Sequence, residues 1–126
     1  MIRGIGIDIV CLASVKSILE ARNEESLREI FTEAEINLCR SSPNTLERFS
    51  TRFAAKEATI KALGLGWERG GLDWTDIEVN FDNSDRPILN LNGKANIRAA
   101  ELGVRRTWIS LSHEENFAIA MVVLEG

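Results

Sequence analysis

The chain has 126 residues, 44% hydrophobic and 27% charged, an ordinary composition for a globular protein and one that predicts a single domain over residues 1–126. With 15 basic residues against 19 acidic ones the net charge is -4, which argues against broad nucleic-acid binding because that requires a basic stripe. No apolar run approaches the roughly 20 residues that cross a bilayer, and Met1-Ile2-Arg3-Gly4 opens no apolar signal region, so the expectation is a cytoplasmic protein with no membrane partner. Cys11 and Cys39 match no metal spacing and form no disulfide framework. A chain of this size buries only about two-thirds of its unfolded surface, a small core that suits a site completed by a neighbouring subunit.

Gly4 to Val10 alternates as a strand. Ile5, Ile7 and Ile9 share one face, expected to meet the core, and Asp8 lies on the other beside Gly4 and Gly6, where a ligand or backbone can come close. Helices are predicted over Leu12–Arg22, Glu24–Phe31 and Thr32–Arg40, the last opened by a Thr32/Glu35 capping box. After the Ser41-Ser42-Pro43-Asn44 break, the longest helix runs from Thr45 to Leu63, with Gly64 as its cap. Residues 65–71 read as a loop, Asp76–Phe81 and Ile88–Leu91 as strands around a turn, and Gly93–Leu102 as a helix. Thr107–Ser112 and Phe117–Leu124 form a hairpin. The order β, several α, ββ, α, ββ predicts an α+β fold of mostly antiparallel strands packed against the long helix.

Chemistry concentrates in few places. On the long helix, Leu46, Phe49, Phe53, Ile60 and Leu63 form an apolar stripe; Glu57 falls on its edge and Lys61 one turn further. Spacing alone favours an ordinary i, i+4 Glu–Lys pair and leaves a ligand role open. Asp8, mid-strand between isoleucines, sits where aspartate is disfavoured. Two carboxylates from distant parts of the chain are what Mg2+ requires when phosphate and water fill its other positions. His113, the single histidine, ends a strand; Ser110 and Ser112 share a face near it, but no nucleophile elbow surrounds them. The Gly64-Leu65-Gly66 segment is no P-loop, since it follows a helix and lacks the Lys-Ser/Thr ending.

Taken in order, Gly4-Ile5-Gly6-Ile7-Asp8-Ile9-Val10, Phe31-Thr32-Glu33-Ala34-Glu35, Arg52-Phe53-Ala54-Ala55-Lys56-Glu57-Ala58 with Lys61 and Gly64, Trp74–Val79, the turn before Pro87 and Ser110-Leu111-Ser112-His113 resemble the small bacterial holo-acyl-carrier-protein synthases, a class of 4′-phosphopantetheinyl transferase. The resemblance covers nearly the whole chain. It implies a 4′-phosphopantetheinyl transferase-like fold and transfer of the phosphopantetheine arm of coenzyme A to a serine of acyl carrier protein, for fatty-acid biosynthesis. By position it implies Asp8 and Glu57 as Mg2+ ligands, Lys61 at the reacting phosphate, and Arg52, Pro87 and His113 along the coenzyme pocket. It further implies a homotrimer with active sites between subunits and an acidic carrier helix docked on a basic first helix. Ser14 and Cys11 depart from the arginine and glutamate usual in the family, leaving Lys16, Arg22 and Arg28 as docking charges, and Asp85 replaces a glycine before Pro87. Two rivals remain: a non-catalytic coenzyme A or nucleotide-binding module, and an interaction scaffold in which Glu57 and Lys61 are only structural.

Overall fold

In a computed structural model, which describes residues 1–66 and 69–126, strand β1 (Ile2–Cys11) pairs antiparallel with β5 (Phe117–Glu125), and β5 with β4 (Arg106–His113). The sheet order is therefore β1-β5-β4, and β2 (Ile77–Phe81) pairs antiparallel with β3 (Pro87–Leu91) in a second sheet. Helix α4 (Thr45–Ala62) lies across β1 and β5, with α1 (Leu12–Ala21) and α3 (Glu33–Arg40) packed against its other sides. Helix α5 (Gly93–Glu101) rests on β3 and on a one-turn 3-10 helix at Trp74–Asp76. The α+β arrangement expected from the sequence is the one observed. Trp67 and Glu68, inside the predicted 65–71 loop, lie outside the described residues; Arg69–Gly71 closes that segment as a 3-10 turn.

The faces of β1 are the reverse of the expectation. Ile5, Ile7 and Ile9 are 60%, 55% and 61% exposed, while Gly4, Gly6 and Asp8 turn toward α4. The cause is backbone proximity. A Cβ on Gly6 would lie 1.8 Å from the Ala58 carbonyl oxygen, and one on Gly4 would lie 1.9 Å from that of Ala62. Ala58 and Ala62 on the helix meet Gly6 and Gly4 on β1, and with Ala54 they share the core with Ala120 on β5, small residues that let helix and sheet close together. The isoleucines are left on the outer face, beside Phe117, Met121 and Trp108, each about half exposed. Register makes this face continuous: Ile7 pairs with Met121, and Ile5 with Val123, which pairs with Trp108.

Because partners surround α4, its burial extends well beyond the apolar stripe. Phe49 sits in a cluster with Val15, Ile30, Phe31 and Cys39, and Ile60 and Leu63 join the larger cluster beneath the two sheets. Thr51, Arg52, Lys56 and Thr59 are buried as well. Lys56 is matched by Glu35, itself fully buried: Nζ donates to Glu35 Oε1 at 2.7 Å, to the Trp74 carbonyl at 3.1 Å and to that of Ile77. Glu35 Oε1 also accepts from Thr32 N at 3.0 Å, closing the predicted capping box of α3, and Oε2 accepts from Val79 N at 3.1 Å. One ion pair thereby ties α3, α4 and β2 together. Burial lowers the Lys56 pKa and the charge of Glu35 opposes that fall. The second predicted helix is shorter than expected, Glu24–Leu27 (α2), because the chain turns after it to bury Ile30 and Phe31 in the helical cluster.

Candidate active site

Strand β1 and helix α4 bring three side chains to one point. Asp8 faces the helix because its strand neighbours on that face are the glycines that admit the helix; Glu57 and Lys61 lie one turn apart on α4. Lys61 Nζ is 2.8 Å from Asp8 Oδ1 and donates to the Ile7 carbonyl at 3.0 Å. The i, i+4 pairing with Glu57 that spacing favoured does not form: the Lys61 ion pair crosses to the strand instead.

The two carboxyls press on one another. Glu57 is pushed up to about 7, first by burial, then by the charge of Asp8 and a hydrogen bond with it, while Lys61 acts in the opposite direction. Asp8 Oδ2 is buried and has no donor when both carboxyls are ionised. A proton on Glu57 relieves this arrangement; so does a cation. A buried unpartnered oxygen beside a second carboxylate fits a small divalent cation that takes one or two protein carboxylates and fills its remaining positions from water and phosphate. Among the described residues no set of three or more His, Cys, Asp or Glu is grouped to hold a metal, so a cation held here would draw at least part of its coordination from outside the chain.

A cleft of about 330 Å3 opens between the first half of α4, the β2–β3 turn and β4. Its walls include Arg48, Thr51, Phe81, Pro87, Leu111 and His113. Sheet register connects it to the carboxyl pair: Asp8 stands opposite Ala120, and Ala120 opposite Leu111. Two interstrand steps put Leu111 about 10 Å from Asp8 on the same face of the sheet. His113 Nδ1 is 3.8 Å from Glu47 Oε2, and the histidine is half exposed. Ser110 and Ser112 alternate to the opposite side of β4 from His113, which dissolves the serine–histidine pairing the sequence admitted.

Arg52 is not on the cleft surface. It is 1% exposed, with its guanidinium 5.0 Å from the centroid of Phe81, Nη1 donating to the Arg48 carbonyl at 3.3 Å and Nε without a partner. Phe81 therefore separates Arg52 from the lining. Arg48, one turn earlier, is exposed in the cleft and packs over the same ring at 5.7 Å. Arg48, Thr51 and Phe81 were missed in the sequence; the spacing of Arg48 one helical turn before Arg52 was the available signal. Asp85 lines the cleft mouth with φ of 60°, the single non-glycine residue of positive φ among those described. On the first helix and the segment after it, Lys16 pairs with Glu20, Arg22 with Glu29 and Arg28 with Glu33, so each expected docking cation has an acidic neighbour within 4.0 Å.

Comparison with known proteins places these features in a family. The 4′-phosphopantetheinyl transferase superfamily matches residues 4–122. The holo-(acyl-carrier-protein) synthase of Koribacter versatilis is 46% identical over 125 residues, covering 99% of this chain and 99% of that protein. A crystal structure of the Neisseria meningitidis holo-(acyl-carrier-protein) synthase superposes with a TM-score of 0.88 at 31% identity, covering all of both chains. The Bacillus anthracis enzyme, solved in complex with CoA (3′,5′-ADP), gives a TM-score of 0.78 at 35% identity, covering 98% of this chain and 96% of that one. With its long helix against an antiparallel sheet and its Asp8–Glu57–Lys61 constellation, the chain belongs to the 4′-phosphopantetheinyl transferase superfamily.

Proposed function

We propose that this protein is a holo-(acyl-carrier-protein) synthase: it moves the 4′-phosphopantetheine arm of coenzyme A to a serine of apo-acyl carrier protein and releases adenosine 3′,5′-bisphosphate. The observation that carries this reading is the meeting of Asp8 from β1 with Glu57 and Lys61 from α4, about 10 Å by sheet register from a cleft sized for part of a nucleotide. Similarity to the curated synthases and to the coenzyme-bound B. anthracis structure supports the choice of substrates.

Asp8 and Glu57 would hold Mg2+, which when bound supplies positive charge to the pyrophosphate of the coenzyme. The serine Oγ forms a new bond to the phosphorus that carries pantetheine, and the bond from that phosphorus to the bridging oxygen breaks. Glu57 takes the serine proton, directly or through a water; a cation beside it favours the ionised carboxylate that this step needs. Lys61 offsets the charge that grows on the leaving nucleotide. Phosphoryl transfer asks mainly for positioning and charge neutralisation, and the rigid contact of α4 with the β1 glycines provides the first. Pro87, His113 and Arg48 line the nucleotide end. Arg52, buried beside Phe81 and off the cleft lining, packs against that ring from inside the fold and leaves Arg48 as the guanidinium that faces the nucleotide phosphates.

The protein acts as one domain in the cytoplasm, in fatty-acid biosynthesis, and assembles as a homotrimer through the outer face of the β1-β5-β4 sheet. Support for assembly comes from the exposed Ile5, Ile7, Ile9, Trp108, Phe117 and Met121, a contiguous apolar surface of a kind monomers rarely leave in water. The carrier docks beside α1, where Lys16, Arg22 and Arg28 must exchange their present glutamate partners for carrier carboxylates. Chromatography of a reaction holding protein, coenzyme A, Mg2+ and an apo-carrier tests the reading. It predicts adenosine 3′,5′-bisphosphate in equal amount to the modified carrier; coenzyme bound but left intact would make the chain a binding module instead.

A further inference from the structure

Asp8 already has a cation. Lys61 Nζ sits on its Oδ1 at 2.8 Å and is anchored by the Ile7 carbonyl at 3.0 Å, so two of the three ammonium donors are committed to β1. The two ends differ in freedom. The Asp8 side chain is only 10% exposed and fixed on a strand, whereas the Lys61 side chain is 55% exposed on a flexible four-carbon stem. Oδ2 of the same carboxylate is buried without a partner, and Glu57 lies beside it. The lysine thus covers one oxygen of the pair of carboxylates to which the metal reading assigns a divalent cation.

We propose that Lys61 is a resident counter-ion of Asp8, which a divalent cation must displace and which is thereby freed toward the substrate phosphates. The proposal rests on Asp8 and Glu57 being the metal ligands. A divalent cation on Oδ2 and the ammonium on Oδ1 of the same carboxylate repel one another across a few ångströms, and the partner with the flexible, exposed stem is the one that moves. Without metal, the lysine keeps two carboxylates from facing each other uncompensated and is held off the phosphates. With metal, Asp8 no longer needs it. Metal loading and delivery of the lysine become one event, and a protein without metal keeps its phosphate-directed charge folded back on the strand.

The consequence runs against intuition for a residue that assists the reaction: its loss should tighten metal binding. Isothermal titration calorimetry of Mg2+ alone into metal-free protein, with wild type, Lys61→Met and Lys61→Gln, reads this directly. Both variants are expected to bind Mg2+ roughly two- to fivefold more tightly, the worth of a partly exposed ion pair. The gain is expected to persist in 0.5 M NaCl, since salt at that strength (Debye length about 4–5 Å) removes a diffuse field far more than a direct contact. A second readout leaves the chain unmutated: trace reductive methylation, followed by peptide mass spectrometry, should label Lys61 faster once Mg2+ is added, with exposed Lys16 as reference. An unchanged or weaker Kd in both variants, a gain abolished by salt, or unchanged labelling of Lys61 would overturn the displacement while leaving the metal site standing. Absence of Mg2+ binding in all three proteins would overturn the metal site and this proposal together.

Discussion

Replacing Lys56 by methionine isolates the most demanding interaction of the fold. The ammonium is fully buried, as is its partner Glu35, 2.7 Å away. Methionine fills similar volume but leaves the Glu35 carboxylate with only two backbone donors, from Thr32 and Val79, and deprives the Trp74 and Ile77 carbonyls of theirs. Breaking a buried pair from one side costs about 3–5 kcal/mol, a large share of the roughly 5–15 kcal/mol that hold a domain together. At about 4 °C per kcal/mol for a chain of this length, Tm should fall by roughly 12–20 °C. Glu35→Gln with Lys56→Met removes both charges, and the double variant should recover at least about 1 kcal/mol relative to the sum of the single losses. Urea unfolding at constant pH and protein concentration measures all four corners of the cycle. Single variants within about 1 kcal/mol of wild type, or losses that simply add, would refute the view that this pair joins α3, α4 and β2.

Other perturbations separate the remaining parts of the account. Gly6→Ala places a Cβ 1.8 Å from the Ala58 carbonyl, so helix and strand must separate; a loss of more than about 2 kcal/mol in urea unfolding is expected, with weakened Mg2+ binding in calorimetry. Glu57 has a folded pKa near 7, above its unfolded value of 4.5, so the folded metal-free protein binds the extra proton. Metal-free stability should therefore be highest below pH 4.5 as far as this group is concerned, fall as pH rises to about 7 and level off above it; the Glu57→Gln variant should lack that part of the slope in urea unfolding across pH. If the proposed trimer forms through the outer sheet face, Ile7→Glu should leave the secondary structure intact by circular dichroism and leave only monomer in sedimentation where wild type sediments as a trimer; a variant that still sediments as a trimer would move the interface elsewhere.

The features legible in the sequence are those set by local chemistry. The Thr32/Glu35 capping box, Gly64 at the end of α4 with φ of 69° and the β4–β5 hairpin all form where spacing and residue type demanded. The β1 faces were read from hydrophobicity and came out reversed, because the deciding quantity was the close approach of the Ala58 and Ala62 backbone, which only glycine admits. Glu35 read as the closing residue of a capping box and Lys56 only as part of the 52–58 motif; that they form a buried pair depends on a separation of 21 residues and on carbonyls beyond the helix. Lys61 illustrates the same limit within the site. An i, i+4 glutamate was the local partner, yet the folded chain offered Asp8, 53 residues away, at 2.8 Å. Motif resemblance brought Asp8, Glu57 and Lys61 together before the fold did, but carried no sign that Phe81 would stand between Arg52 and the cleft.

The most direct test is the intact mass of an apo-acyl carrier protein after incubation with this protein and coenzyme A, in Mg2+ and in EDTA, for wild type and Asp8→Asn. The account predicts one phosphopantetheine arm added to the carrier serine by wild type in Mg2+, and no addition in EDTA or by the variant. Equal modification in EDTA, or by Asp8→Asn at the wild-type rate, would contradict a transfer reaction built on the meeting of β1 and α4.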